Sequence, residues 1–134
     1  MAGVYCAGER MIIGIGLDVV ETAQIERLLG GTGPRVEERV FTVAERHECE
    51  GRIDREQALA ARFAAKEACL KALGTGLSQG ISFLHVEVVS TESGAPVLRL
   101  SGRAADRARD QGVQRVHVSL SHQPGIAAAA VIPG

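Results

Sequence analysis

The feature that most restricts the fold of this chain is one long helical segment with charged residues set among small apolar ones. It contains RFAAKEACLKALGTG, Arg62 to Gly76, and has no internal helix breaker before Gly74. Asp54 with Gln57 three residues on is a capping-box pattern that opens the helix. Gly74 suits the left-handed position that closes it. Leu59, Phe63, Leu70 and Leu73 fall on one bulky face, with Lys66 projecting from that side. Ala60, Ala64, Glu67 and Lys71 form an adjacent row whose small residues suit close approach of another body.

The segments around this helix read as a mixture of types. MIIGIGLDVVE (Met11 to Glu21) opens with a β-branched apolar run and reads as a buried strand ending at Asp18. A helix is expected over about Glu21 to Leu29, ended by Gly30 and Gly31, and TVAE (Thr42 to Glu45) is a capping box for a short third segment. FLHVEVVS and VLRL read as strands either side of a TESGAP turn. Ser101 to Asp110 reads as a polar helix, and VQRVHVSLSH with GIAAAAVIPG as a closing antiparallel pair. The expected fold is α+β, an N-terminal strand and helices packed on a mostly antiparallel sheet. Met11 suits the start of a complete domain, so residues 1–10 read as an extension and 11–134 as a single domain.

With 134 residues the chain can bury a core without staples. Its net charge of −1 and lack of a long basic run speak against a nucleic-acid partner. The three cysteines, Cys6, Cys49 and Cys69, form no CxxC pair, which fits a reducing cytoplasm better than a disulfide framework. No stretch reaches the roughly 18 to 20 apolar residues of a membrane span. MAGVYCAGER has neither a basic n-region nor an apolar h-region, so no signal peptide is expected.

Each chemically suggestive residue has two readings. Asp18, at a strand's end, is either a helix N-cap or a carboxylate facing a hard cation. Glu67 and Lys71, four apart, make either a surface ion pair worth about 0.3–0.5 kcal/mol or a metal ligand beside a phosphate-binding ammonium. GTG (Gly74 to Gly76) is either a helix stop or a turn whose N–H groups approach a phosphate. No Lys-Ser/Thr follows these glycines, which excludes a Walker loop, and GIG (Gly14 to Gly16) lacks the third glycine of a dinucleotide fingerprint. His122, closing SLSH, is either satisfied within the fold or caps a phosphate.

Taken together, GIGLDVVE, RFAAKEACLKALGTG and HVSLSH, with about fifty residues between Asp18 and the Lys66–Glu67 pair, resemble the holo-acyl-carrier-protein synthase type of 4′-phosphopantetheinyl transferase. The resemblance runs from Met11 to the end. It implies transfer of the 4′-phosphopantetheine group from coenzyme A to a serine hydroxyl of an apo acyl carrier protein, releasing adenosine 3′,5′-bisphosphate. It further implies that Asp18 and Glu67 bind Mg²⁺ with the coenzyme A pyrophosphate, and that Lys66 and Lys71 flank the transferred phosphate. Arg62, the turn Gly74, Thr75 and Gly76, and His122 correspond to positions near the rest of the nucleotide. Small members of this family are homotrimers with coenzyme A in clefts between subunits. The general base is either Glu67 or a metal-bound water, and the native carrier belongs to fatty-acid, polyketide or peptide synthesis. One departure stands out: where the family carries an arginine six residues after the metal-binding Asp, this chain has Gln24, with Arg27, Arg35 and Arg39 as replacements for carrier docking. The alternative reading is a non-catalytic nucleotide-binding or assembly module of the same fold.

Overall fold

The computed structural model describes residues 12–31 and 35–134. The expected extension, residues 1–10, lies outside the described residues. The first strand, β1, spans Gly16–Glu21, followed by helices α1 (Thr22–Gly31), α2 (Arg35–Val40), α3 (Val43–Cys49) and α4 (Arg55–Leu73). Strands β2 (Val86–Ser90) and β3 (Pro96–Leu100), helix α5 (Gly102–Asp110) and strands β4 (Val116–Gln123) and β5 (Ile126–Pro133) complete the chain. The α+β reading holds, with every strand pair antiparallel. Among the described residues the sheet is divided in two: β1-β5-β4 and the hairpin β2-β3.

Helix α4 runs through the middle and packs chiefly on β1 and β5. It is buried nearly all round, not on one bulky face. Between Ala58 and Leu73 only Glu67, Lys71 and Ala72 escape burial. Its termination is as expected, with Gly74 in the left-handed conformation at φ +75°. Its start is not. Asp54 makes no capping bond, because its carboxylate is held by Arg52 through two hydrogen bonds of 2.8 and 2.9 Å. A two-point contact between opposite charges outcompetes a single bond to a backbone N–H. The capping box at Thr42 and Glu45 is formed in both directions.

The chain's own first strand lies against α4 at Ala68 and Ala72, beside the row expected to receive another body. A Cβ placed on Gly16 would lie 1.8 Å from the Ala68 carbonyl oxygen, and one on Gly14 would lie 2.4 Å from that of Ala72. GIG is therefore a contact between backbones, and only glycine permits it.

β1 differs from the expectation in two ways. It continues past Asp18 to Glu21, so Asp18 sits mid-strand opposite Ala129 and does not cap α1, which begins at Thr22. It is also buried on one face only. Leu17 and Val19 point outward and are 63% and 56% exposed, continuing the 71% exposed Ile15. In the register of the sheet they stand beside Ala128 and Ala130 of β5. α2 was not expected, and Phe83–His85 is a 3₁₀ turn where a strand was.

Replacing Gly16 with Ala is expected to cost at least about 3 kcal/mol, because the methyl meets a helix backbone that cannot retreat without moving the core. Denaturant unfolding checks this, and a loss under about 1 kcal/mol would mean that β1 and α4 are not locked together as described.

Candidate functional site

The backbone contact at Gly16 decides where the neighbouring side chains meet. Asp18 is two residues further along the same face of β1, so its carboxylate also turns toward α4. There Lys71 Nζ donates to Asp18 Oδ1 at 2.8 Å and to the Leu17 carbonyl at 3.2 Å. The expected Glu67–Lys71 ion pair is not formed, since the lysine has turned to the strand instead. Glu67, half-buried on the same helix, makes no hydrogen bond or ion pair among the described residues. Burial pushes its carboxyl above the usual range, the Asp18 charge pushes it further, and Lys71 opposes both. Lys71 is raised in turn, mainly by its hydrogen bond to Asp18.

Two carboxylates from adjacent elements, one of them loaded by the charge of the other, suit a hard cation. They cover only part of an octahedral shell of about six oxygens, so such a cation would take its remaining oxygens from water or a phosphate ligand. Among the described residues no group of three or more His, Cys, Asp or Glu stands ready to enclose one.

Lys66 is elsewhere. Its side chain is 0% exposed, and its ammonium forms a 2.7 Å ion pair with the equally buried Glu45. It also donates to the Phe83 carbonyl at 3.0 Å and to that of Val86. Burial lowers its proton affinity, and Glu45 offsets this. Lys66, expected beside a phosphate, here has its three donors on Glu45 and on the Phe83 and Val86 carbonyls. Glu45 accepts from the N–H groups of Thr42 and Val88 as well, tying α3, α4 and β2 together. Removing either partner would strand a buried charge at a cost of about 3–5 kcal/mol.

The turn after α4 is likewise closed on its own helix. The N–H groups of Gly74, Thr75 and Gly76 all point back to the carbonyls of Leu70 and Lys71. They close the helix, and a helix C-terminus repels anions rather than attracting them.

Arg62 and His122 do come together. They line a cavity of about 240 Å³ with Arg52, Ser90, Gly94 and Pro96. Arg62 is buried, its Nη2 donating to Glu48 at 2.7 Å and its Nη1 to the Ala58 carbonyl at 3.3 Å, while Nε has no partner. His122 Nδ1 lies 3.1 Å from Gln57 Oε1. Glu48, Glu45 and Gln57 have no place in the sequence reading as partners of site residues. Each contact joins segments that only tertiary packing brings together, and no local pattern signals it.

Residues 14–129 match the 4′-phosphopantetheinyl transferase superfamily, and the chain belongs to that family. It is similar to a holo-[acyl-carrier-protein] synthase of Anaeromyxobacter sp. (strain K), 54% identical over 125 residues covering 91% of this chain and 95% of the relative. Its fold is similar to that of the Neisseria meningitidis holo-[acyl-carrier-protein] synthase, at a TM-score of 0.84, 33% identity and coverage of 92% and 99%. The Helicobacter pylori synthase solved in complex with coenzyme A matches at a TM-score of 0.78 and 32% identity, covering 90% and 99%.

In metal-free protein held in chelator, the Glu67 carboxyl is expected to titrate above the ordinary value of about 4.3. Asp18→Asn lowers that midpoint by removing a like charge, and Lys71→Met raises it by removing an opposite one. Carbon-13 NMR of the side-chain carboxyl reads both shifts. A midpoint in the normal range, or a rise in Asp18→Asn, would show that the three groups do not share one field.

Proposed function

We infer that this protein transfers the 4′-phosphopantetheine group of coenzyme A to a serine hydroxyl of an apo acyl carrier protein. The observation that carries the reading is the meeting of Asp18, Glu67 and Lys71 across the glycine contact. In the reaction the serine oxygen forms a bond to the phosphorus bearing pantetheine. The bond from that phosphorus to the adenosine 3′,5′-bisphosphate oxygen breaks, and the hydroxyl proton leaves to a base. Such a reaction asks the protein mainly for position and for opposite charge.

Each residue has a role in this reading. Asp18 and Glu67 hold Mg²⁺, which when bound neutralises pyrophosphate charge. Glu67 is also placed to take the hydroxyl proton as general base. Lys71 is 57% exposed on a long stem, and it leaves Asp18 to meet charge on the transferred phosphate. Arg62 and His122 meet the nucleotide end.

Arg62 and Lys71 are about two and a half turns apart on α4 and so face opposite sides of it. One molecule of coenzyme A reaches both kinds of residue most readily between two copies of the chain. The exposed Leu17 and Val19 on the outer sheet face supply an apolar surface for such packing. A homotrimer with coenzyme A in its clefts satisfies both features. Two free buried thiols, Cys49 and Cys69 (the latter pushed up to about 12 by burial), suit a cytoplasmic setting. Among the described residues no helix is long and apolar enough to cross a membrane. A single domain over 11–134 performs the reaction.

Intact-mass analysis of apo carrier proteins incubated with coenzyme A and Mg²⁺ tests the function directly. A phosphopantetheine mass gain is expected, and no gain on any carrier would leave a nucleotide-binding module. Glu67→Gln and Asp18→Ala should each lower turnover by about 100-fold or more. Both variants should keep the wild-type melting temperature within a few degrees, since neither residue caps a helix or fills the core. Near-normal turnover of Glu67→Gln at saturating Mg²⁺ would remove Glu67 from the chemistry.

Carrier docking is expected at the exposed Gln24 and Arg27 of α1 and Arg35 and Arg39 of α2. Gln24→Arg should raise kcat/KM for an acidic carrier on the order of threefold at low salt, with the gain fading as salt screens it. Steady-state kinetics across a salt series reads this, and no change at any salt would place the docking surface elsewhere.

A further inference from the structure

The guanidinium of Arg62 is held before any ligand arrives. Glu48 Oε1 accepts from Arg62 Nη2 at 2.7 Å and from the Ser90 N–H at 3.1 Å, and its Oε2 accepts from the same N–H at 3.0 Å. One carboxylate of α3 thus joins α4 to the last residue of β2, where the turn toward β3 begins. Gly94 of that turn and Pro96, the first residue of β3, form the cavity wall with Ser90 itself. Glu48 sets both the basic group and the segment facing it.

Two effects oppose each other here. The Glu48 charge repels an incoming anion, while its hydrogen bonds remove the freedom that a long arginine would otherwise lose on binding. Position outweighs repulsion, because the Glu48 charge is already met by the guanidinium and the Ser90 N–H. The Arg62 side chain is only 5% exposed, so it has little water to replace the contact if Glu48 is removed.

We propose that Glu48 is a positioning residue for the anion-binding cavity, holding Arg62 and the Ser90 end of the β2–β3 turn in the geometry that receives the nucleotide end of coenzyme A. This rests on the reading that Arg62 and His122 meet that nucleotide. Glu48 itself touches no reacting atom, so its effect belongs to binding and not to turnover.

Calorimetric titration with adenosine 3′,5′-bisphosphate, alongside steady-state kinetics with coenzyme A, tests the proposal. Glu48→Ala is expected to raise the Kd and the KM for coenzyme A by about tenfold, the usual scale for a lost charged hydrogen bond, with kcat within about twofold. Glu48→Gln keeps an acceptor at the Oε1 position for both partners but sets an N–H against Ser90 in place of Oε2 and removes the charge, so its loss should fall between wild type and Glu48→Ala. Glu48→Asp keeps the charge but falls short of both partners, so it should behave like Glu48→Ala. That variant decides the matter if Glu48→Ala fails to fold. Wild-type affinity in Glu48→Asp, tighter binding in Glu48→Ala, or a fall in kcat with KM unchanged would each overturn the proposal. Arg62→Ala separates the two layers. If it weakens the nucleotide while the Glu48 variants do not, only the role of Glu48 falls. If it leaves affinity unchanged, the cavity is not the nucleotide site and the placement beneath the proposal falls with it.

Discussion

A missing side chain organises this molecule. Gly16 presents bare backbone to the Ala68 carbonyl, and this lets the first strand lie directly on the central helix. Any larger residue would push β1 outward, and Asp18, two residues along, would move with it. The distance between a strand carboxylate and a helix carboxylate is thus set by backbone packing, not by loops. Rigid placement of this kind is what phosphoryl transfer needs, since position supplies much of the rate.

The structure also sorts lysines that look equivalent in sequence. Lys66 and Lys71 lie on one helix, five residues apart, in similar alanine-rich surroundings. One is sealed in the core against Glu45, and the other stays at the surface against Asp18. The difference comes from what packs over each: α3, the Phe83–His85 turn and β2 cover Lys66, while β1 borders Lys71. A buried ammonium with a full set of acceptors is a structural element, and an exposed one with a single carboxylate is free to exchange partners.

How much of this was legible in the sequence follows from the range of each interaction. The extent of α4, its glycine stop and the Thr42 capping box are encoded within a few residues, and they were readable. The closing β4–β5 pair was readable for the same reason. α2 escaped notice because RVEERV has only two apolar positions and too few residues to show a period. The Asp54 cap failed because Arg52, two residues before it, competes for the same carboxylate. The burial of Lys66 depends on Glu45, in another helix, so nothing local signals it. The strand carrying Asp18 and the helix carrying Glu67 and Lys71 were readable from the apolar pattern, yet the Lys71–Asp18 contact belongs to the packing alone.

The near-complete burial of α4 bears on the time dependence of the site. Core helices open only in rare, nearly global fluctuations, whereas exposed side chains change rotamer in picoseconds to nanoseconds. Glu67 and Lys71 are therefore mounted on one of the slowest-moving parts of the protein. The motion needed to pass from the resting contact to a ligand is confined to the lysine stem.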